Sequence, residues 1–273
     1  MSAAVNAERR RTLAVAFALA VGVASCAPRT VQVALPRGQG QPMADAALGA
    51  HVDAVSAPCR DLDALTADLR IAGRVNGDRV RGTLQVGVEP GGVRLEGVPP
   101  FGAPVFILAG RAGAATLLFP RDGVFVSKVP VSALMEAVVG VALTPPDLLA
   151  LLGGCGIPAG TPTGGDAFGN GWARLDFPED VSMWLRQEGS AAPVLRVADT
   201  RDWRVDYEMS RPGQPVRGML TRKGGATTAL SFEVSAPDRL SALPEAAFDV
   251  TVPADARELP LEHFRRQRVL AES

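Results

Sequence analysis

An open antiparallel β half-barrel of about 11 strands with a helical lid, mainly β with short helices (α+β), is the fold class predicted for this chain of 273 residues. Three observations predict it. From Leu65 onward, apolar and polar residues alternate at period two through most of the chain. Gly- and Pro-containing turns punctuate the alternating runs. In the middle the period changes to that of a helix, for two short and strongly apolar segments. Alternation with one apolar face marks antiparallel strands buried on one side. A meander of this length curls into a barrel or half-barrel, and helices across its mouth can roof an apolar cavity.

The alternation begins with Leu65, Ala67, Leu69, Ile71 and Val75 on one face and Thr66, Asp68, Arg70 and Arg74 on the other. Asn76-Gly77 follows, a pair suited to a two-residue hairpin turn because both residues tolerate positive φ. Val80, Gly82, Leu84, Val86 and Val88 repeat the apolar face, opposite Arg79, Arg81, Thr83 and Gln85. Gly91-Gly92 turns the chain into a strand in which Val93 and Leu95 alternate with Arg94 and Glu96. Residues 97–104, GVPPFGAP, hold three prolines, which donate no ladder hydrogen bond, so this stretch reads as an unusually apolar loop. Further strands are expected at 105–108 and 115–119, and Asp122-Gly123 turns into another at 124–129.

Apolar residues at helical spacing over 132–139 predict a short helix. Thr144-Pro145-Pro146-Asp147 is a helix start, with a capping hydroxyl, proline in the first turn and an acid against the dipole. Residues 148–152 are strongly apolar, and Gly153-Gly154 ends the helix. Period two returns with strands expected at 172–177, 181–186, 194–197, 204–209, 216–221, 228–234 and 248–252. A last amphipathic segment, 261–270, reads as a helix. Ahead of the strands, 27–57 is rich in Pro, Gly, Gln and Ala and reads mostly as a tether, with a short helix over 43–55.

At the N-terminus, Arg9, Arg10 and Arg11 precede an uncharged apolar run, 12–23, shorter than the ~20 residues a membrane span needs. A charged start, a short apolar core and small residues before a cut describe a secretory signal. Val23-Ala24-Ser25-Cys26 resembles a bacterial lipobox. That resemblance implies a diacylglyceryl thioether on Cys26 and cleavage before it; an ordinary cleaved signal is the plainer alternative. Ala27, where Asp would signal retention, points by the same resemblance to the outer membrane. The expected organisation is a signal peptide over 1–25, a lipidated Cys26 with a flexible tether over 26–57, and a half-barrel domain over 58–273, lipid-anchored at the outer membrane and facing the periplasm. Of the three cysteines, Cys59 and Cys155 remain. An oxidising compartment favours their pairing in a disulfide; two buried free thiols are the other reading.

Composition narrows the function. With 28 basic and 29 acidic residues the net charge is near zero, which argues against nucleic acid as a partner. The chain has two histidines, His51 and His263. It contains no Gly-x-Ser-x-Gly, no HExxH and no CxxC, so nucleophilic catalysis and zinc chemistry have no motif to rest on. Gly153-Gly154-Cys155-Gly156 follows a helix instead of opening one and is no phosphate cradle. The expectation is a protein that is not an enzyme, with no cofactor and no metal.

The order of elements over 69–155 resembles LolB, the outer-membrane lipoprotein receptor, and the wider LolA/LolB-like superfamily. LRIAGRV and RGTLQVGV form the hairpin, and VRLEGVPPFGAPVFIL is a strand entering an apolar Gly/Pro loop. ATLLFPRDG ends in an Asp-Gly turn, and SALMEAVVG and LTPPDLLALLGGC are the two helices. DWRVDYEM and MLTRKGG fit the later part of that family more loosely. The resemblance implies an open barrel lidded by helices, with an apolar cavity that shelters acyl chains. It implies a role in lipoprotein localisation or outer-membrane biogenesis, with lipoprotein acyl chains or phospholipid as ligand and a periplasmic carrier protein as partner. The candidate lining is the apolar strand face, Leu69, Ile71, Leu84, Val86, Leu95, Ile107, Leu117 and Phe119, with Leu134, Leu148 and Leu151 from the lid; plain core packing is the alternative for each. In the family the apolar loop presents a leucine to the membrane. Phe101 stands at the matching place with Val98 nearby, either protruding or folded inward. The rival to a ligand carrier is a non-catalytic docking lipoprotein of an envelope assembly complex, its half-barrel filled by its own side chains.

Overall fold

The computed structural model describes residues 31–156, 160–225 and 227–266; the signal segment and Cys26 lie outside them. The strands are β1 (Gln41–Pro42), β2 (Ala64–Val75), β3 (Asp78–Glu89), β4 (Gly92–Val98), β5 (Ile107–Arg111), β6 (Ala114–Phe119), β7 (Val124–Val129), β8 (Gly164–Phe168), β9 (Trp172–Phe177), β10 (Val181–Arg186), β11 (Val194–Asp199), β12 (Trp203–Arg211), β13 (Gln214–Arg222), β14 (Ala229–Leu240) and β15 (Arg257–Glu258). The α-helices are α1 (Asp45–Ser56), α2 (Val131–Val139), α3 (Pro145–Gly153) and α4 (Leu261–Arg266).

All the strands join one open sheet, in the order β1-β8-β9-β10-β11-β12-β13-β14-β2-β3-β4-β5-β6-β7-β15. The order is two meanders, β2 to β7 and β8 to β14, joined where β14 pairs antiparallel with β2. Among the described residues the sheet holds 15 strands, more than the eleven or so expected. The surplus lies in β1 and β15, two residues each, and in the glycine-led β8. Strands so short or so poor in alternating residues leave no period to read. The segment expected as a strand at 248–252 is not one. Phe248 ends a 3₁₀ turn that begins at Glu245, and its ring joins Ala64 and Leu243 in a small second core. Its apolar signal came from that packing and from the Arg111 guanidinium, 4.1 Å above the ring.

Local chemistry sets the register. Asn76 and Gly77 take φ of 51° and 94°, the positive pair that a tight hairpin needs, and Val75 faces Asp78 across the turn. The inner face then runs Leu65, Ala67, Leu69 and Ile71 on β2 and Val80, Leu84, Val86 and Val88 on β3, all buried, while Arg70, Arg79 and Arg81 face water. Thr144 caps α3 in a capping box with Asp147, and Gly154 closes it in the left-handed region. α2 and α3 lay Leu134, Met135, Leu148, Leu151 and Leu152 onto the inner strand residues, and one continuous apolar core results. Phe264 of α4 packs on Phe119, ring centroids 5.1 Å apart.

Residues 31–57, read from sequence as part of a flexible tether, lie against the sheet. Val33 receives an Arg204 hydrogen bond at its carbonyl and donates its N–H to Asp206. β1 pairs with β8, and Val55 of α1 is buried in the core. Cys59, just beyond α1, is disulfide-bonded to Cys155, Cα atoms 5.7 Å apart.

Candidate functional site: a cleft beside the apolar loop

The site grows from the end of β4. Pro99 and Pro100 cannot continue the ladder, so the chain leaves the sheet and returns at β5. Two hydrogen bonds pinch the base of this loop: Gly97 N–H to the Phe106 carbonyl, 3.0 Å, and Val105 N–H to the Gly97 carbonyl, 2.9 Å. A side chain at Gly97 would stand 2.8 Å from the Phe106 ring. Glycine there lets Phe106 lie on the inner face, where it is buried and 6.3 Å from the Phe119 ring. At the loop tip Phe101 is 89% exposed, and no other large apolar side chain among the described residues is exposed. Arg121, in the turn after β6, donates to the Ala103 carbonyl at 3.0 Å and ties the tip to the sheet.

Beneath the loop lies a cleft of about 570 Å³. Ile71, Val80, Gly82 and Leu84 form its floor, Phe106 and Val105 a wall, Val98, Pro99 and Pro100 the roof, and Arg81 and Arg121 also border it. Gly82 holds an inner-face position where the alternation of β3 calls for a core side chain. A Cβ built there would find no atom within 4 Å. The missing side chain is what opens the cleft.

The expected site residues divide. Ile71 and Leu84 border the cleft, and Val98 roofs it. Leu69, Val86, Leu95, Leu117, Phe119, Leu134, Leu148 and Leu151 are buried in the common core. Ile107 is a correction. It pairs with Glu96 and Leu118 and is half-buried on the other face, while Leu108, opposite Leu95 and Leu117, takes the inner position. Residues 105–108 are all apolar, so the phase after the loop has no polar residue to mark it. Gly82, Val80, Phe106 and Arg121 were not anticipated. A glycine interrupting a strand face was the available signal for Gly82.

A second cleft, of about 370 Å³, lies under α1 against the disulfide and α3, bordered by Val52, Leu149, Phe177 and Met183 among others. Burial pushes the Tyr207 hydroxyl, deep in the core, well above the ordinary range for tyrosine. The His51 ring bonds the carbonyl of Ala47 in its own helix, and His263 is exposed on α4. Among the described residues, no group of three or more His, Cys, Asp or Glu is placed to hold a metal ion. No helix among them is long and apolar enough to cross a membrane.

No family model matches the chain, and no curated protein matches it. Among solved structures, it is similar to a LolA superfamily protein from Nitrosomonas europaea, at 8% identity over 74% of this chain and 97% of that one, with a TM-score of 0.41. It is similar to a DUF1329 family protein from Desulfovibrio piger, at 10% identity over 74% and 97% of the two chains, with a TM-score of 0.46. It is also similar to the lipoprotein LppX of Mycobacterium tuberculosis, at 16% identity over 77% and 100%, with a TM-score of 0.29. An open, mainly antiparallel sheet with short helices packed on its core is consistent with the fold that the resemblance to the LolA/LolB-like superfamily implies, and it is the fold of this chain.

Proposed function

We propose that the protein is a non-catalytic, membrane-anchored lipoprotein that shelters acyl chains, or another apolar ligand, in the cleft under its apolar loop, in lipoprotein localisation or outer-membrane biogenesis. The observation that carries this reading is a cleft of about 570 Å³ with an apolar floor, opening beside a loop that presents a single exposed phenylalanine. Its volume falls within the range of small-ligand sites. An exposed apolar tip on a braced loop is a contact surface. Phe101 enters the membrane interface, with Val98 behind it, and the cleft mouth meets the lipid it draws from. Lipid on Cys26, left after removal of 1–25, is the anchor, at the outer membrane on its periplasmic side. Residues 31–57 are laid on the half-barrel. A periplasmic carrier protein is the partner that brings the ligand.

The test is a titration of the chain carrying Cys26→Ser, which takes no lipid, with a fluorescent triacylated peptide and its unacylated control. Saturable binding that needs the acyl chains, and that Gly82→Leu abolishes without lowering the melting temperature, is the expected result. A folded protein with no acyl-dependent binding would overturn the reading. The docking-module alternative draws on the ten expected lining residues, all but Ile107, that are buried in the core. It predicts that cells relying on the Gly82→Leu protein keep their envelope function, whereas the carrier reading predicts that they lose it.

A further inference from the structure

We propose that a groove on the outer face of the sheet docks a partner protein by taking up one of its arginine side chains. The groove holds about 370 Å³ and shares no bordering residue with the cleft beneath the loop, so it stands apart from the acyl-chain reading. Its floor is two rows of outer-face positions on β2, β3 and β4. Thr66, Gly87 and Arg94 face one another across the strands in one row, and Asp68, Gln85 and Glu96 in the next. One wall is the strap that follows β14, with Leu243, Pro244 and Ala247. Arg94 fixes the strap by donating to the carbonyls of Ala247 and Asp249 at 3.0 and 3.1 Å, and the Leu243 N–H donates to Glu89 at 3.1 Å. Gly87 gives Leu243 its seat, since a Cβ there would come within 3.3 Å of that side chain. β14, the other neighbour of β2, bulges out of register here and borders the groove with Ala236.

The charges around the groove do not balance. Arg94 pairs with Glu96 at 2.5 Å, Arg70 with Glu233 at 3.2 Å and Arg111 with Glu89 at 2.7 Å, and Arg239 donates to the carbonyls of Pro58 and Gly213. These cations are spent. Asp68, half-buried on the floor, is left: among the described residues its carboxylate meets no donor and no cation. Asp238, across from Thr66 on β14, is exposed and likewise unpaired among them. A positive charge from outside completes the site. The geometry selects arginine. Asp68 and Gln85 are cross-strand partners, whose Cβ atoms stand about 5 Å apart, and both carry acceptor oxygens. A forked guanidinium serves two acceptors at once, whereas the ammonium of lysine is one compact charge. The aliphatic stem of the arginine lies along the strap wall. The rest of that wall, with Pro244 exposed and Ala247 half-buried, is covered by the segment that carries the arginine.

The experiment is an NMR titration of the isotope-labelled full chain with Cys26→Ser. The probe is a blocked peptide with one arginine between two valines. Its control carries citrulline in place of the arginine, which keeps the shape and loses the charge. The arginine peptide is expected to shift the backbone amide signals of Thr66, Asp68 and Gln85 and to leave those of Gly82 and Phe101 still. It should bind about fivefold tighter than the citrulline peptide, the scale of an ion pair at a half-exposed site. That advantage should shrink at about 0.5 M salt, a readout that needs no variant. Asp68→Asn should remove it without changing the melting temperature. Equal affinity for the two peptides, or shifts confined to other signals, would overturn the proposal. A lysine peptide that binds as tightly as the arginine one would overturn the choice of arginine. Concentration-dependent dimerisation of the chain that Asp68→Asn abolishes would replace the partner with a second copy. Binding of acyl chains is indifferent to all of these outcomes, so failure here leaves the acyl-chain reading standing.

Discussion

The first meander, β2 to β7, and the second, β8 to β14, face the same core but fill it differently. The first is largely aliphatic on its inner face, Leu, Ile and Val in rows with Phe106 and Phe119 at one end, and the second brings Phe177, Trp203, Tyr207 and Phe232. Each meander also carries a glycine in an inner row. At Gly218 on β13, a Cβ would stand 2.2 Å from the Phe232 ring, so the aromatic occupies the room the glycine leaves. At Gly82 on β3, nothing occupies it. One glycine seats a ring and makes scaffold; the other leaves a cleft. The outer faces differ as well. Arg174 bridges Asp166 and Asp176 at 2.6 and 2.9 Å on the second meander, and Arg204 with Asp206 there anchors the backbone of Val33. The N-terminal segment is thus laid on the second meander, and the first is left to present the loop.

The comparison can be broken at several points. The strongest is the Cys59–Cys155 bond, whose 96-residue separation encloses the whole first meander and both lid helices. Reduction should lower stability by about 4 kcal/mol on the chain-entropy scale, measured by denaturant unfolding with and without reductant. A loss too small to measure would mean that packing alone holds the first meander and its lid helices closed. Next, Leu185→Ala, in the filled second meander, should cost about 3–4 kcal/mol, and Leu84→Ala, beside the cleft, nearer 2. Equal losses would show that the two halves are packed alike.

The glycines sharpen the contrast. Gly218→Ala should cost about 2 kcal/mol because the Phe232 ring must move, whereas Gly82→Ala should leave stability unchanged or raise it by about 0.5 kcal/mol. Thermal melting of the two variants checks both. A smaller effect is set by pH. Tyr207, the one tyrosine in the chain, keeps its proton in the fold because burial raises its pKa, while the unfolded chain ionises near 10. The neutral hydroxyl is therefore compatible with the fold below that value, and stability falls as pH climbs above it, by up to about 1.4 kcal/mol per pH unit. Phenolate absorbance should appear only together with unfolding, and Tyr207→Phe should flatten the alkaline slope; phenolate forming in the folded protein would contradict the burial. Smallest in stability is Phe101→Ser, within about 0.5 kcal/mol of the parent, and it should nonetheless weaken sedimentation of the protein with lipid vesicles.

Much of the architecture was legible because its causes are local. The β2–β3 hairpin follows from alternation and Asn76-Gly77, α3 from Thr144, Pro145 and Gly154, and β9 and β10 from clean period-two runs. The apolar loop was readable from its prolines. What was not legible depended on distant partners. β1 and β15 are strands only because β8 and β7 lie beside them. Phe248 looked like strand and is a ring packed on the back of β4, where a side chain at Gly92 would meet it. Ile107 was given the inner face because four apolar residues in succession carry no phase; the pinch between Gly97 and Phe106 decided which one points inward.

By itself, then, the sequence determined the class of fold, the hairpin turns, the lid helices and their caps, and the loop that leaves β4, since each is written in period, φ preference and capping chemistry within a few residues. Tertiary structure alone decided that Phe101 points outward, that residues 31–57 lie on the sheet, and that the gap at Gly82 stays open while the one at Gly218 is filled. The reason is physical: whether a strand glycine is a seat or a cleft depends on which side chain lies across from it, and that neighbour is supplied by the pairing of strands far apart in the chain.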